Sequence, residues 1–256
     1  MVRPPLSAAK QVDFLGVGAQ KAGTSALDVY LRQHPELCLP RRKEMHFFDR
    51  NRFFAVEPVD YANYHRAFDP RPPQRLLGEV TPAYIYNPNA IERIARYNPA
   101  MRLIVLLRNP ITRAYSHWNM VRHRGFDNLP FIEAIKAEPE RVRTNAPMLA
   151  AQYAYVDRGF YARQLERMWR HFPREQTIVL KTEELQDHPK EALSRVASFL
   201  GIEPFQKIRK TMVHAWEYPE PLREEDRRYL AEVYATEIRE LERLLGWDCS
   251  EWLASA

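Results

Sequence analysis

The stretch Val12-Asp13-Phe14-Leu15-Gly16-Val17-Gly18-Ala19-Gln20-Lys21-Ala22-Gly23-Thr24-Ser25 decides the fold. Residues 12–18 read as a buried strand ending in glycine. Residues 24–34 read as a helix with Leu27, Tyr30 and Leu31 at helical spacing, stopped by Pro35. A strand, a glycine-containing turn and a helix in that order present backbone N–H groups and a helix dipole to phosphate. Gly18 and Gly23 have the spacing of the nucleotide-binding P-loop, which continues Gly-Lys-Ser/Thr. Here Thr24 stands in that lysine's place and the amine sits earlier, at Lys21. An amine projecting from inside the loop still meets an anion, but not with the geometry of an NTP γ-phosphate site. Thr24 and Ser25 add hydroxyl donors at the helix start. The simpler alternative is a glycine-rich turn with a surface lysine.

Outward from the loop, Leu103-Ile104-Val105-Leu106-Leu107 is a continuous apolar run of the kind that forms a central parallel strand buried on both faces. It delivers Arg108, where a P-loop NTPase typically places an aspartate for Mg²⁺. Ligands of open parallel sheets bind at the carboxyl ends of strands, so Arg108 is expected to face the same crevice as the loop. Pro110 to His123 is expected as the next helix, capped by Asn109, with Ser116 two turns in. An arginine and a hydroxyl suit a second phosphate group. The alternative pairs Arg108 with a carboxylate such as Glu79 and leaves Ser116 as plain helix surface.

Further strands are expected at 76–80 and 177–180. Further helices are expected at 61–68, 88–97 (capped by Asn87), 160–171, 190–200 (ended by Gly201) and 222–245 (ended by Gly246). The segment 121–158 shows no strand pattern and reads as an excursion from the sheet. The alternation predicts an α/β, P-loop-like three-layer fold, a central parallel sheet flanked by helices. The 256 residues read as a single domain, with 1–10 as an extended or disordered lead.

The chain carries 45% hydrophobic residues and no apolar run of the ~20 residues that a membrane span needs. Met1-Val2-Arg3-Pro4-Pro5-Leu6 lacks the apolar core of a signal peptide. Two cysteines far apart, Cys38 and Cys249, fit a reducing compartment, and a cytoplasmic location is expected. The net charge of +5 comes from Lys and Arg scattered among acids, without the basic block of a nucleic-acid binder.

Gln20-Lys21-Ala22-Gly23-Thr24-Ser25 and Arg108-Asn109-Pro110-Ile111-Thr112-Arg113-Ala114-Tyr115-Ser116 resemble the two donor segments of sulfotransferases that use 3′-phosphoadenosine 5′-phosphosulfate (PAPS). Three more stretches resemble the heparan sulfate N- and 3-O-sulfotransferase branch: Lys43-Glu44-Met45-His46-Phe47-Phe48-Asp49, Gly78-Glu79-Val80-Thr81-Pro82-Ala83-Tyr84, and Gly159-Phe160-Tyr161 leading to Arg170-His171-Phe172-Pro173. The resemblance implies Glu44 as general base. It implies Lys21 as the loop lysine, and Gln20 to Ser25 as the 5′-phosphosulfate site. It further implies Arg108 and Ser116 at the 3′-phosphate, Tyr161 on the donor side, and His46, Asp49, Glu79 and Tyr84 on the acceptor side. The family's late basic loop over the donor is nearest to Lys207-Ile208-Arg209-Lys210, which makes Arg209 and Lys210 donor-site candidates. Val80 stands where the branch has a lysine that meets sulfated chains in the 3-O enzymes, and Met120 where the N-sulfotransferases have a histidine. The implied product is adenosine 3′,5′-bisphosphate. No metal is required, and the acceptor is a glycan, lipid or small metabolite bearing a hydroxyl or amine.

Three other readings make different predictions. A P-loop kinase or nucleotide hydrolase binds ATP with Mg²⁺. A non-catalytic nucleotide-binding protein binds the bisphosphate without transfer. An RNA-binding protein uses the basic surface. For Glu44 the simpler reading is a surface carboxylate paired with Lys43 or Arg42, and for His46 a structural histidine beside Phe47 and Phe48.

Overall fold

The computed structural model describes residues 11–145, 147–209, 218 and 220–254, with the side chains of 147–149 set aside. The expected lead segment 1–10 lies outside the described residues. In chain order the elements are β1 (Phe14–Gly18), α1 (Thr24–Leu31), β2 (Leu37–Cys38), α2 (Ala62–His65), β3 (Leu76–Val80), α3 (Ala90–Tyr97), β4 (Arg102–Leu107), α4 (Pro110–His123), α5 (Phe131–Thr144), α6 (Pro147–Tyr153), α7 (Tyr161–Trp169), β5 (Thr177–Lys181), α8 (Thr182–Asp187), α9 (Pro189–Leu200) and α10 (Glu224–Leu245). The expected α/β three-layer class, built on a parallel sheet, is the one found.

The chain forms two compact units. The first holds Gly23–Leu106 with the described residues before Ala19 and from Met168 to Arg209. It contains the five-stranded sheet, in the order β2-β3-β1-β4-β5. The pairs β1–β3, β1–β4 and β2–β3 are parallel. β1 lies at the centre and is wholly buried, as are Leu103 to Leu107 of β4. Each fully buried aliphatic side chain of these two strands contributes ~1.5–3 kcal/mol of driving force. Helix α1 packs on β1 and β3, and α8 and α9 pack on β5.

Two glycines have steric duties here. Gly78 of β3 faces Phe14 of β1 in register, and a Cβ there would overlap the Phe14 ring. Gly23 caps α1 at φ 81°, a left-handed conformation that glycine adopts without strain.

The second unit holds Ala19–Ala22, Leu107–Arg167 and the described residues after His214. In it α4 packs against α5, α6 and α10. Asn109 caps α4 by accepting from the Ile111 N–H, with Pro110 at the first helical position. Glu224, Glu225 and Asp226 open α10, complementing its positive end, and Gly246 closes it in the left-handed region.

Boundaries moved where local chemistry competes with periodicity. The helix expected over 24–34 ends at Leu31, because the residue before Pro35 is disfavoured in the helical region and the chain turns out through Gln33 and His34. The helix expected over 61–68 is helical only at Ala62–His65, continued by turns to Phe68. Helix α3 starts at Ala90, two residues late, because the Asn87 Oδ1 accepts from the N–H groups of Asn89 and Ala90 at 2.9 and 3.2 Å. β2, only two residues long, carried no readable period. The segment 121–158 has no strand among its described residues and is built from α5 and α6. Both cysteines are buried and they form no disulfide with each other. Among the described residues, no helix is long and apolar enough to cross a membrane.

Gly78→Ala is expected to destabilise the protein by about 1–3 kcal/mol through overpacking against Phe14. Urea midpoints of wild type and variant measure it, and equal midpoints would sink this packing account.

Candidate functional site

The loop after β1 is strained where the sequence singled it out. Lys21 holds φ 69°, in the left-handed region that costs a non-glycine residue ~1 kcal/mol or more. Ala22 donates to the Ala19 carbonyl at 3.1 Å, closing a tight turn between Gly18 and Gly23. Helix α1 begins at once, Ala26 and Leu27 donating to the Gly23 carbonyl. The first N–H groups of a helix lie outside its own ladder and favour anions. Thr24 is buried and Ser25 exposed.

In the first unit, Glu44 follows a chain that reverses twice in the left-handed region, at Glu44 (φ 61°) and His46 (φ 51°). The Glu44 N–H donates to the Val80 carbonyl at the end of β3. Its carboxylate sits between two cations. Lys43 Nζ lies 2.8 Å from Oε1, and His46 Nε2 lies 3.4 Å from Oε2. His46 Nδ1 meets Asp49 Oδ2 at 2.7 Å, and Lys43 Nζ also reaches Ser25 Oγ at 3.2 Å. The pairing of Glu44 with Lys43 expected under the simpler reading is therefore present, but as one link of a chain running Ser25, Lys43, Glu44, His46, Asp49. Burial works to raise the Glu44 pKa. The hydrogen bond from His46 and the charge and hydrogen bond of Lys43 outweigh it and hold the carboxyl at about 2. Hydrogen bonds to Asp49 and then Glu44 push His46 up to about 9, against burial.

Glu79 and Tyr84, expected on the acceptor side, are fully buried. Glu79 Oε1 accepts from the hydroxyls of Tyr84 (2.7 Å) and Tyr64 (3.3 Å). Its Oε2 accepts from the Thr81 hydroxyl (2.5 Å) and the Met45 N–H (3.4 Å). The Tyr84 hydroxyl in turn accepts from the Phe47 N–H at 3.0 Å. Burial raises the Glu79 pKa, opposed by these four hydrogen bonds. The pair thus spends its polar atoms on the chain that carries Glu44 and His46. Phe47 and Phe48 pack with Tyr64 and Tyr84 in the same aromatic cluster.

In the second unit, Arg108 Nη1 approaches the Lys21 carbonyl at 3.4 Å, and the buried Tyr161 donates to the Arg108 carbonyl at 2.9 Å. Ser116 is buried and its Oγ accepts from the Tyr218 hydroxyl at 2.7 Å. Beside it, His117 is buried with Nδ1 unpartnered; burial, then Arg113, Arg158 and Lys21, push its pKa well below the ordinary value. Gln20 Oε1 is likewise buried without a hydrogen-bond partner. In the first unit, Arg209 exchanges backbone hydrogen bonds with the Gln33 side chain beyond the end of α1. Lys210 lies outside the described residues.

Sequence reasoning named Lys43 only as an ion-pair partner of Glu44 and Tyr64 only as an aromatic of either an acceptor cleft or the core, and it passed over Tyr218. Lys43 precedes the glutamate of the quoted motif, and that adjacency to Glu44 was the one signal available.

Residues 11–221 match the sulfotransferase domain family. The chain belongs to that family. Over 187 residues it is 31% identical to heparan sulfate glucosamine 3-O-sulfotransferase 3A1 of Mus musculus, covering 73% of this chain and 44% of the relative. Over 208 residues it is 31% identical to bifunctional heparan sulfate N-deacetylase/N-sulfotransferase 3 of Homo sapiens, covering 75% and 22%. The chain thus spans less than half the length of these two curated relatives. The crystal structure of a sulfotransferase from Alicyclobacillus acidocaldarius matches with a TM-score of 0.80 at 30% identity, covering 96% of this chain and 100% of that one. The resemblance to the sulfotransferases, and to their heparan sulfate branch, holds.

The sulfotransferase chain's His46 has a pH signature. Its folded pKa of about 9 exceeds the ordinary 6.5, so its ion pairs stabilise the fold fully below pH 6.5 and are lost as pH rises through 9. His46→Gln is expected to narrow the stability gap to wild type across that window. Urea midpoints from pH 6 to pH 10 measure it, and a gap that stays constant contradicts the assigned charge.

Proposed function

We propose that the chain transfers a sulfuryl group from PAPS to a hydroxyl or amine of a glycan, lipid or small-metabolite acceptor. The observation that carries this reading is the contact chain Ser25–Lys43–Glu44, in which one ammonium joins the hydroxyl at the start of α1 to the carboxylate assigned as base. Family membership supports the reaction class. The displaced Lys21 and the arginine at the end of β4 support a donor with phosphate at both ends.

Residues 20–25 hold the 5′-phosphosulfate with loop amides, the Lys21 amine and the Thr24 and Ser25 hydroxyls. Arg108 and Ser116 take the 3′-phosphate, Tyr161 fixes the strand end at Arg108, and Arg209 with Lys210 belongs to the cover of the donor. Glu44 accepts the proton of the acceptor as its oxygen or nitrogen attacks sulfur in line. A new bond to sulfur forms and the bond from sulfur to the bridging oxygen breaks. That oxygen keeps the electron pair and leaves on adenosine 3′,5′-bisphosphate. Lys21 and the loop amides stabilise its charge, and no metal clamp is assigned. His46 orients Glu44 and, with Asp49, meets the acceptor. Glu79 and Tyr84 contribute by holding that loop. Two buried cysteines not joined in a disulfide support a cytoplasmic location.

A thermal shift separates the nucleotide readings: adenosine 3′,5′-bisphosphate is expected to raise the melting temperature, and ATP with Mg²⁺ or RNA is not. Stabilisation by ATP with Mg²⁺ alone overturns the proposal in favour of a kinase or hydrolase. In an acceptor screen with labelled PAPS, Glu44→Gln is expected to keep bisphosphate affinity and lose ~10²–10⁴-fold in turnover, the range of general-base catalysis. Near-wild-type turnover removes Glu44 from the role. In the same assays, Lys21→Ala is expected to lose most activity and Arg108→Ala mainly donor affinity.

A further inference from the structure

A carboxylate that must accept a proton works best with a pKa near the working pH. Glu44 instead lies between two cations, one on each oxygen. His46 is anchored from behind by Asp49 at 2.7 Å. Lys43 is not anchored in this way. Its ammonium is shared between Glu44 Oε1 and Ser25 Oγ, at 2.8 and 3.2 Å, and its side chain keeps 22% of its exposure. The other groups facing Glu44 are neutral or act through a neighbour. Ser25 comes from α1, the Val80 carbonyl at the end of β3 takes the Glu44 N–H, and Glu79 is engaged with Met45 and the hydroxyls of Tyr64, Thr81 and Tyr84.

We propose that Lys43 is a catalytic residue that occupies Glu44 while the donor loop is empty and turns to the sulfuryl oxygens when phosphosulfate arrives, freeing Oε1 for the acceptor's proton. This rests on the sulfuryl-transfer reading above. The motion is small. An anion seated at Ser25 comes within a hydrogen bond's reach of an ammonium that already touches that hydroxyl. A lysine ammonium is a compact charge with three donors on a flexible stem, so it changes partners by rotation. The arriving anion also has the helix N-terminus on its side, which the carboxylate lacks. Once Lys43 leaves, one of the two cations lowering the Glu44 pKa is gone and the carboxylate becomes the stronger base. His46 stays on Oε2 and keeps the carboxylate aimed. Donor binding therefore arms the base, and the carboxylate stays capped in the empty enzyme.

A purely structural role predicts something else. An ion pair this exposed contributes little to stability, so losing it would leave nucleotide affinity and rate alone.

The test uses Lys43→Met and Lys43→Arg on the full chain, with urea midpoints first to show that both fold. Calorimetry then compares adenosine 3′,5′-bisphosphate, which lacks the sulfuryl group, with PAPS in the absence of acceptor. Lys43→Met is expected to bind the bisphosphate within about threefold of wild type and PAPS about tenfold or more weakly, the loss of one charge-assisted contact. Its turnover is expected to fall by about 10²-fold, with the acid limb of the kcat/KM profile moved to higher pH because the free enzyme's Glu44 has lost a cation. Lys43→Arg is expected to restore most of the preference for PAPS. A Lys43→Met variant with wild-type turnover and the wild-type preference for PAPS over bisphosphate overturns this proposal alone. A wild-type chain that binds neither nucleotide overturns the sulfuryl-transfer reading, and this proposal with it.

Discussion

The buried carboxylate of Glu79 organises the segment of the first unit that carries Glu44 and His46. Four donors converge on it: a backbone N–H and the hydroxyls of Thr81, Tyr64 and Tyr84. A charge taken out of water is tolerable only when its lone pairs are met, and here each oxygen receives two hydrogen bonds. The reward is positional. Met45 and Phe47 are both tied to this cluster, directly or through Tyr84, so the residues between and beside them have little freedom. Glu44 and His46 adopt left-handed backbone angles within that framework. The cluster works together with the Glu44 N–H bond to the Val80 carbonyl and the His46–Asp49 pair in holding two non-glycine residues there.

The second unit solves a different problem. Arg113 is wholly buried and donates to the Tyr155 carbonyl, while Glu138 accepts from the N–H groups of Val156 and Asp157. Charged groups inside a helical unit thereby satisfy backbone that α6 and the turn after it leave open. Burial pushes the Glu138 carboxyl to about 7 despite these bonds. The unit is thus held by buried polar pairings as well as by apolar packing.

Much of the fold was legible because its strongest signals are local. β1 and β4 announce themselves by apolar runs and flanking glycine or proline, and Asn109, Gly201 and Gly246 mark helix ends by their own conformational preferences. The loop from Gly18 to Ser25 was legible for the same reason: its spacing is a property of eight consecutive residues. The surroundings of Glu44 were less so. The partners of Glu79 include Tyr64, fifteen residues upstream, and no period links them. Lys43 was legible only as a surface partner of Glu44, and its reach to Ser25, eighteen residues upstream, follows no local pattern. Tyr218 meets Ser116 across 102 residues of chain, a pairing that no local pattern encodes.

The left-handed backbone at Lys21, Glu44 and His46 also separates durability from usefulness. Each of these positions would be more comfortable as glycine, by ~1 kcal/mol or more in backbone terms. A search for hardier variants that scored only folding would therefore be drawn to the three side chains that the proposed chemistry uses, and would trade them away first. Robustness in this protein has to be sought elsewhere, in the sheet and the helical unit, where comfort and purpose do not compete.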